Sequence, residues 1–142
     1  MALTHTTHTI TLDTALVILE KALARARVMK VKLAIAIADR AGHLIALHRD
    51  DGTWATSIDV ARDKAATAAV FGVSTDELRE ALSYSQALTE GLARRPGVIL
   101  FGGGFPIAAQ GEIIGGIGAS GASEQEERDI LTYALEGLNH DL

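Results

Sequence analysis

Near the start of the chain, Leu12, Ala15, Leu16, Leu19, Ala22, Leu23 and Ala26 recur at helical spacing, with Lys21, Arg25 and Arg27 outside the stripe. This pattern predicts an amphipathic helix with Thr11 as its N-cap. Leu33 to Ala38 is apolar on both faces, but bulky residues (Leu33, Ile35, Ile37) alternate with alanines (Ala34, Ala36, Ala38). It reads as a central strand covered on both sides, with a helix close to the alanine face. Asp39-Arg40-Ala41-Gly42 is a turn, and Leu44 to Arg49 returns as the antiparallel partner. Ile58 to Val70 is an alanine-rich helix closed by Gly72. Ser74-Thr75-Asp76-Glu77 has capping-box spacing and starts a short helix through Leu82, whereas Tyr84 to Pro96 reads as irregular or loosely helical.

Gly97 to Phe101 and Phe105 to Ala109 read as short strands around a triple glycine, and Gln110-Gly111 as a two-residue hairpin turn. Glu112 to Ser120 follows as a strand. A second capping box at Ser123 opens a last helix with the stripe Ile130, Leu131, Ala134, Leu135 and Leu138. The order α-β-β-α-α-β-β-β-α with hairpin links predicts an α+β sheet flanked by helices. Residues 1–10 read as a loose polar tail and 11–142 as one domain.

Most of the chain's 14 glycines crowd into the segment from Gly102 to Gly121. On the last strand Ile114, Gly116, Gly118 and Ser120 share one face, which is nearly bare beyond Ile114. Either a helix or a ligand packs closely there. Gly102-Gly103-Gly104 is either a tight bend or a row of backbone N–H groups suited to an anion. It lacks the Lys and Ser/Thr of a phosphate loop.

The alanine-rich helix carries Arg62 and Lys64. They are either part of a solvated face or cations leaning over the bare strand to attract a carboxylate. The expected pocket lies between them and the Gly102 to Gly104 loop, with Gly116 and Gly118 as its floor and Phe101, Phe105 and Ile114 as apolar contacts. Asp51 and Glu127 are the candidate general acid–base groups, with Lys64 or Arg62 holding the ligand. His5 and His8 in the tail lack a third metal ligand, while His43, His48 and His140 stand apart, so no metal site is expected.

Composition removes whole classes of function. The net charge of −5 gives no basic footprint for nucleic acid or an anionic membrane. Without cysteine there is no disulfide, thiol nucleophile or Cys-ligated zinc. No apolar run is long enough to span a bilayer and the first residues do not resemble a signal peptide, so a cytoplasmic location is expected.

Four segments occur in the order and spacing of one known family. They are Ala38-Asp39-Arg40-Ala41-Gly42-His43-Leu44 with Arg49 and Asp51, Ala61-Arg62-Asp63-Lys64-Ala65-Ala66-Thr67-Ala68, Gly102-Gly103-Gly104-Phe105-Pro106, and Gly115-Gly116-Ile117-Gly118-Ala119-Ser120-Gly121 before an acidic helix. In these the chain resembles the GlcG/HbpS-like proteins from about Thr11 to Leu138. Glu127 stands where that family usually has Asp, and Asp50 where it has Met. The resemblance implies a profilin-like fold with a five-stranded antiparallel sheet. It also implies a small-molecule-binding function with haem as a candidate cofactor, or else an enzyme or accessory protein of a catabolic operon acting on a small carboxylated or aromatic substrate at the same pocket. Together with the short strand edges, it implies a homo-oligomer.

Overall fold

The computed structural model describes residues 1–138, so His140 lies outside the described part. Two hairpins build one antiparallel sheet: β1 (Ala34–Asp39) with β2 (Leu44–Arg49), and β3 (Gly104–Ala109) with β4 (Glu112–Ser120). The strand order is β2-β1-β4-β3. The sheet therefore has four strands, not five. Gly97 to Phe101 is not a strand, because Thr67 of a neighbouring helix takes its backbone groups: the Thr67 hydroxyl donates to Gly97 O at 3.0 Å and accepts from Ile99 N–H at 3.1 Å.

Register explains the small residues. Ala38 lies beside Gly116, Ala36 beside Gly118 and Ala34 beside Ser120. Side chains alternate across a sheet, so these six make one continuous low surface. Helix α2 (Thr56–Phe71) lies on it through Ala61 and Ala65. A Cβ on Gly118 would run into the Ala61 carbonyl oxygen and lie 2.6 Å from Ala65 N; one on Gly116 would meet the Ala65 carbonyl oxygen and lie 2.8 Å from Ala69 N. The opposite face carries Ile35, Ile37, Ile107 and Ile117. It is covered by α1 (Leu12–Met29) through Ala15, Ile18 and Ala22, and by α5 (Glu124–Leu135) through Ile130 and Leu131.

The expected caps form: Thr11 Oγ1 accepts from Thr14 N–H, Gly72 closes α2, and Ser123 and Glu126 complete a capping box. Ser74 caps α3 (Thr75–Ala81). The stretch read as irregular or loosely helical contains α4 (Gln86–Ala93), capped by Ser85. Within the expected tail, Ile10 is buried and its N–H donates to Ile114 O at 2.9 Å. Among the described residues no helix is long and apolar enough to cross a membrane.

Candidate functional site

Lys64 follows Ala61 on the face over Gly118, and its side chain runs to the end of β4, where the ammonium is 2% exposed with its residue. There Nζ donates to Ala119 O at 2.8 Å and to Glu127 Oε2 at 3.2 Å, and sits 5.0 Å from the centroid of the Phe101 ring. Glu127, in the first turn of α5, is equally buried. Burial pushes its carboxyl up to about 7, against the opposing pull of Lys64 and with help from the nearby charge of Glu124. A buried carboxyl that titrates near neutrality beside a fixed cation is equipped for proton transfer.

Gly103 makes room for the pair. It has φ +113°, and a Cβ there would lie 2.5 Å from Lys64 Nζ and 2.6 Å from Glu127 Oε2. The flanking glycines are already engaged: Gly102 N–H donates to Glu124 Oε1 at 3.2 Å and Gly104 N–H to Thr75 Oγ1 at 3.0 Å. The triple glycine is thus a bend that cradles an internal ion pair, and its outer N–H groups are not open to a ligand.

Lys64 and Glu127 nevertheless border open space. They form the inner end of a cavity of about 540 Å³ whose other walls include Trp54, Phe101, Ser57, Ser120 and Glu124. That volume is in the range of small-molecule sites. Trp54 is 80% exposed and Phe101 43%.

Of the expected site residues, the fold brings together Lys64, Glu127 and the Gly103 bend. Gly116 and Gly118 are not a pocket floor, because the backbone of α2 covers them. Arg62 points to solvent from the far side of α2, 3.1 Å from Asp59 and 3.7 Å from Asp63. Phe105 packs against the core and under Arg128, so Phe101 alone of that pair reaches the cavity. Asp51 is exposed and borders a different hollow with Arg27, Lys30 and Lys32. Trp54, Ser57 and Glu124 were not anticipated; a lone tryptophan just before a helix was the one available signal. Among the described residues, no three His, Asp or Glu side chains gather as a metal ligand set.

The architecture recurs in known proteins. The family described as "Haem degrading protein HbpS-like" matches residues 10–136. This chain belongs to that HbpS-like family. It is 30% identical over 129 residues to an uncharacterised 15.0 kDa protein from the dhaT-dhaS intergenic region of Citrobacter freundii, covering 90% of this chain and 91% of that one. The crystal structure of Klebsiella pneumoniae ORFY superposes with a TM-score of 0.87 at 27% identity, over 96% of this chain and 94% of that one. The crystal structure of a PduOC:Heme complex gives a TM-score of 0.82 at 27% identity, over 92% of this chain and 96% of that one.

Proposed function

We propose that this protein binds a small, flat, carboxylated molecule in the Lys64–Glu127 cavity and exchanges a proton with it through Glu127. The observation that supports this is a cation and a carboxyl group, each 2% exposed, that still border an open cavity between two exposed aromatic rings. Trp54 and Phe101 offer flat apolar contact, and Lys64 offers charge. With Glu127 ionised, the Lys64 charge is already answered. Once Glu127 is protonated, a ligand carboxylate takes over that role. An entering anion also raises the Glu127 pKa further, so binding takes up a proton.

Binding of benzoate, followed by Trp54 emission, is therefore expected to tighten as pH falls from about 8 to about 6. Lys64→Ala should remove the binding, while Arg62→Ala leaves it intact. Affinity that is flat with pH, or lost equally in both variants, would overturn this reading. As an enzyme, the same site would move a proton to or from a carbon or oxygen of the bound acid, with Glu127 as the acid–base group.

The haem complex of the PduOC relative favours a second reading, with haem as the ligand. The cavity residues do not fit an axially ligated haem: among the described residues, its walls hold no histidine, methionine, tyrosine or cysteine. A haem titration separates the readings. A Soret shift that saturates at one haem per chain and disappears in Lys64→Ala supports haem at this cavity, while a spectrum identical to free haem removes it. Loss of the shift in His48→Ala instead would move the haem to β2. The reading includes a cytoplasmic homo-oligomer, supported by exposed Leu44 and Leu47 on edge strand β2. Light scattering should give a mass above the 14.9 kDa of one chain; a monomer at micromolar concentration would remove it.

A further inference from the structure

The Lys64–Glu127 cavity is one end of a longer trough. Trp54 and Gly121 line that cavity and also a hollow of about 250 Å³ bounded by Lys32, Gly52 and Thr53. Lys32 then belongs to a third hollow of about 390 Å³ with Arg27, Lys30, Asp50 and Asp51. The fold accounts for this continuity. Ala34 pairs with both Arg49 and Ser120, so the segments entering β1, leaving β2 and leaving β4 all meet at one end of the sheet. Contact is close there: a Cβ on Gly121 would lie 3.2 Å from Leu33 Cα and 3.2 Å from Thr53 Cγ2.

Charge differs along the trough. At the inner end Lys64 is matched by Glu127. At the outer end Lys30 and Lys32 make no ion pair among the described residues, and Arg27 lies close by. Asp50 is occupied: its carboxylate bonds His48 Nε2 at 2.7 Å and accepts from Leu33 N–H at 3.1 Å. Asp50 and the exposed Asp51 thus oppose three cations, and the hollow keeps a net positive charge. Between the two ends stands the Trp54 ring. In the wall beside it, the Thr53 hydroxyl is buried without a hydrogen-bond partner, the one such side-chain atom found among the described residues.

We infer that the molecule bound here is an elongated dicarboxylate, with one carboxylate at Lys64, its body along Trp54, and the second carboxylate at Lys32 and Lys30. This rests on the reading of the Lys64–Glu127 cavity as a carboxylate site, and narrows it to a substrate class. With Glu127 protonated, a lysine stands at each end of the trough with the Trp54 ring between, which selects for two anionic ends separated by an apolar body.

Calorimetric titration with matched pairs tests it: benzoate against terephthalate, and biphenyl-4-carboxylate against biphenyl-4,4′-dicarboxylate. In at least one pair the dicarboxylate should bind about tenfold more tightly. The double variant Lys30→Ala/Lys32→Ala should erase that preference yet leave the monocarboxylate affinity unchanged. Both lysines are exposed or nearly so, and an unchanged melting temperature would verify that the variant is folded. Monocarboxylates that bind as tightly as dicarboxylates, or a preference that survives the double variant, would overturn the dicarboxylate assignment alone. If no carboxylate of either kind binds the wild-type protein, the cavity reading fails as well.

Discussion

Gly118→Val is expected to leave no soluble folded protein, and Gly118→Ala to be nearly as damaging. The obstacle is the first side-chain atom: any Cβ at position 118 runs into the Ala61 carbonyl oxygen and Ala65 N, which are main-chain atoms of α2 and cannot rotate aside. Relief would require α2 to lift from the sheet, breaking its contact with Ala34, Ala36 and Ala38 as well. Ordinary overpacking costs about 1–3 kcal/mol, and an immobile backbone puts this case at or beyond the upper end. Gly91 is the internal control. It lies within α4 with nothing near its absent Cβ, so Gly91→Ala should raise stability by up to about 1 kcal/mol. Solubility and thermal melting of the three variants check this. A Gly118→Ala protein that melts with the wild type would show that α2 does not sit where the structure places it.

Glu127→Ala should lower the melting temperature by about 10 °C, because it strands the Lys64 ammonium with Ala119 O as its one remaining acceptor. Breaking one side of a buried pair costs about 3–5 kcal/mol, whereas replacing both sides with apolar groups is often nearly neutral. Lys64→Met/Glu127→Leu should accordingly recover most of the loss, and Glu127→Gln, which keeps an acceptor, should lose little. The pH dependence has a definite sign. The folded-state pKa of Glu127 is raised above its ordinary value of 4.5 to about 7. The folded protein thus holds a proton that the unfolded chain releases, and stability falls as pH rises from about 4.5 to about 7. Glu127→Gln should flatten that slope. A slope that is the same in both proteins, or a double variant no more stable than Glu127→Ala, would show that the two groups do not act as a pair.

The sandwich of helices on a small-residue sheet was legible because alternation in a strand is a physical necessity. Ala34, Ala36 and Ala38 against Gly116 and Gly118 can only mean close approach on one face. What the pattern left open was whether helix or ligand approaches, and the helix does. The caps were legible for the same local reason: Ser and Thr oxygens accept from N–H groups two or three residues on. The strand expected at Gly97 to Phe101 failed because the Thr67 hydroxyl, distant in sequence, claims backbone groups that a strand partner would otherwise need. Of the site, Lys64 and Glu127 were identifiable as residues but not as partners. They are 63 positions apart, and only the closure of α2 and α5 around the end of β4 joins them. Arg62 and Lys64 looked equivalent in the sequence. A rotation of about 200° along the helix separates solvent from interior, and the helix's apolar stripe is too even in size to reveal which is which. Trp54 lies in a connecting segment, where periodicity carries no information.

The Lys64–Glu127 contact has a consequence for how the molecule opens. Lys64 belongs to the layer on one side of the sheet and Glu127 to the layer on the other, so their bond is a clasp around the sheet's end. A second tie between helices of the two sides is the Arg128–Asp76 ion pair, which joins α5 to α3. Amide hydrogens of α2 and α5 should therefore exchange as one cooperative unit, with a common opening free energy. A ligand that replaces Glu127 as the partner of Lys64 would release the clasp while occupying its place, leaving α5 freer to exchange than α2. Occupancy of the cavity would then be readable at a helix the ligand scarcely touches.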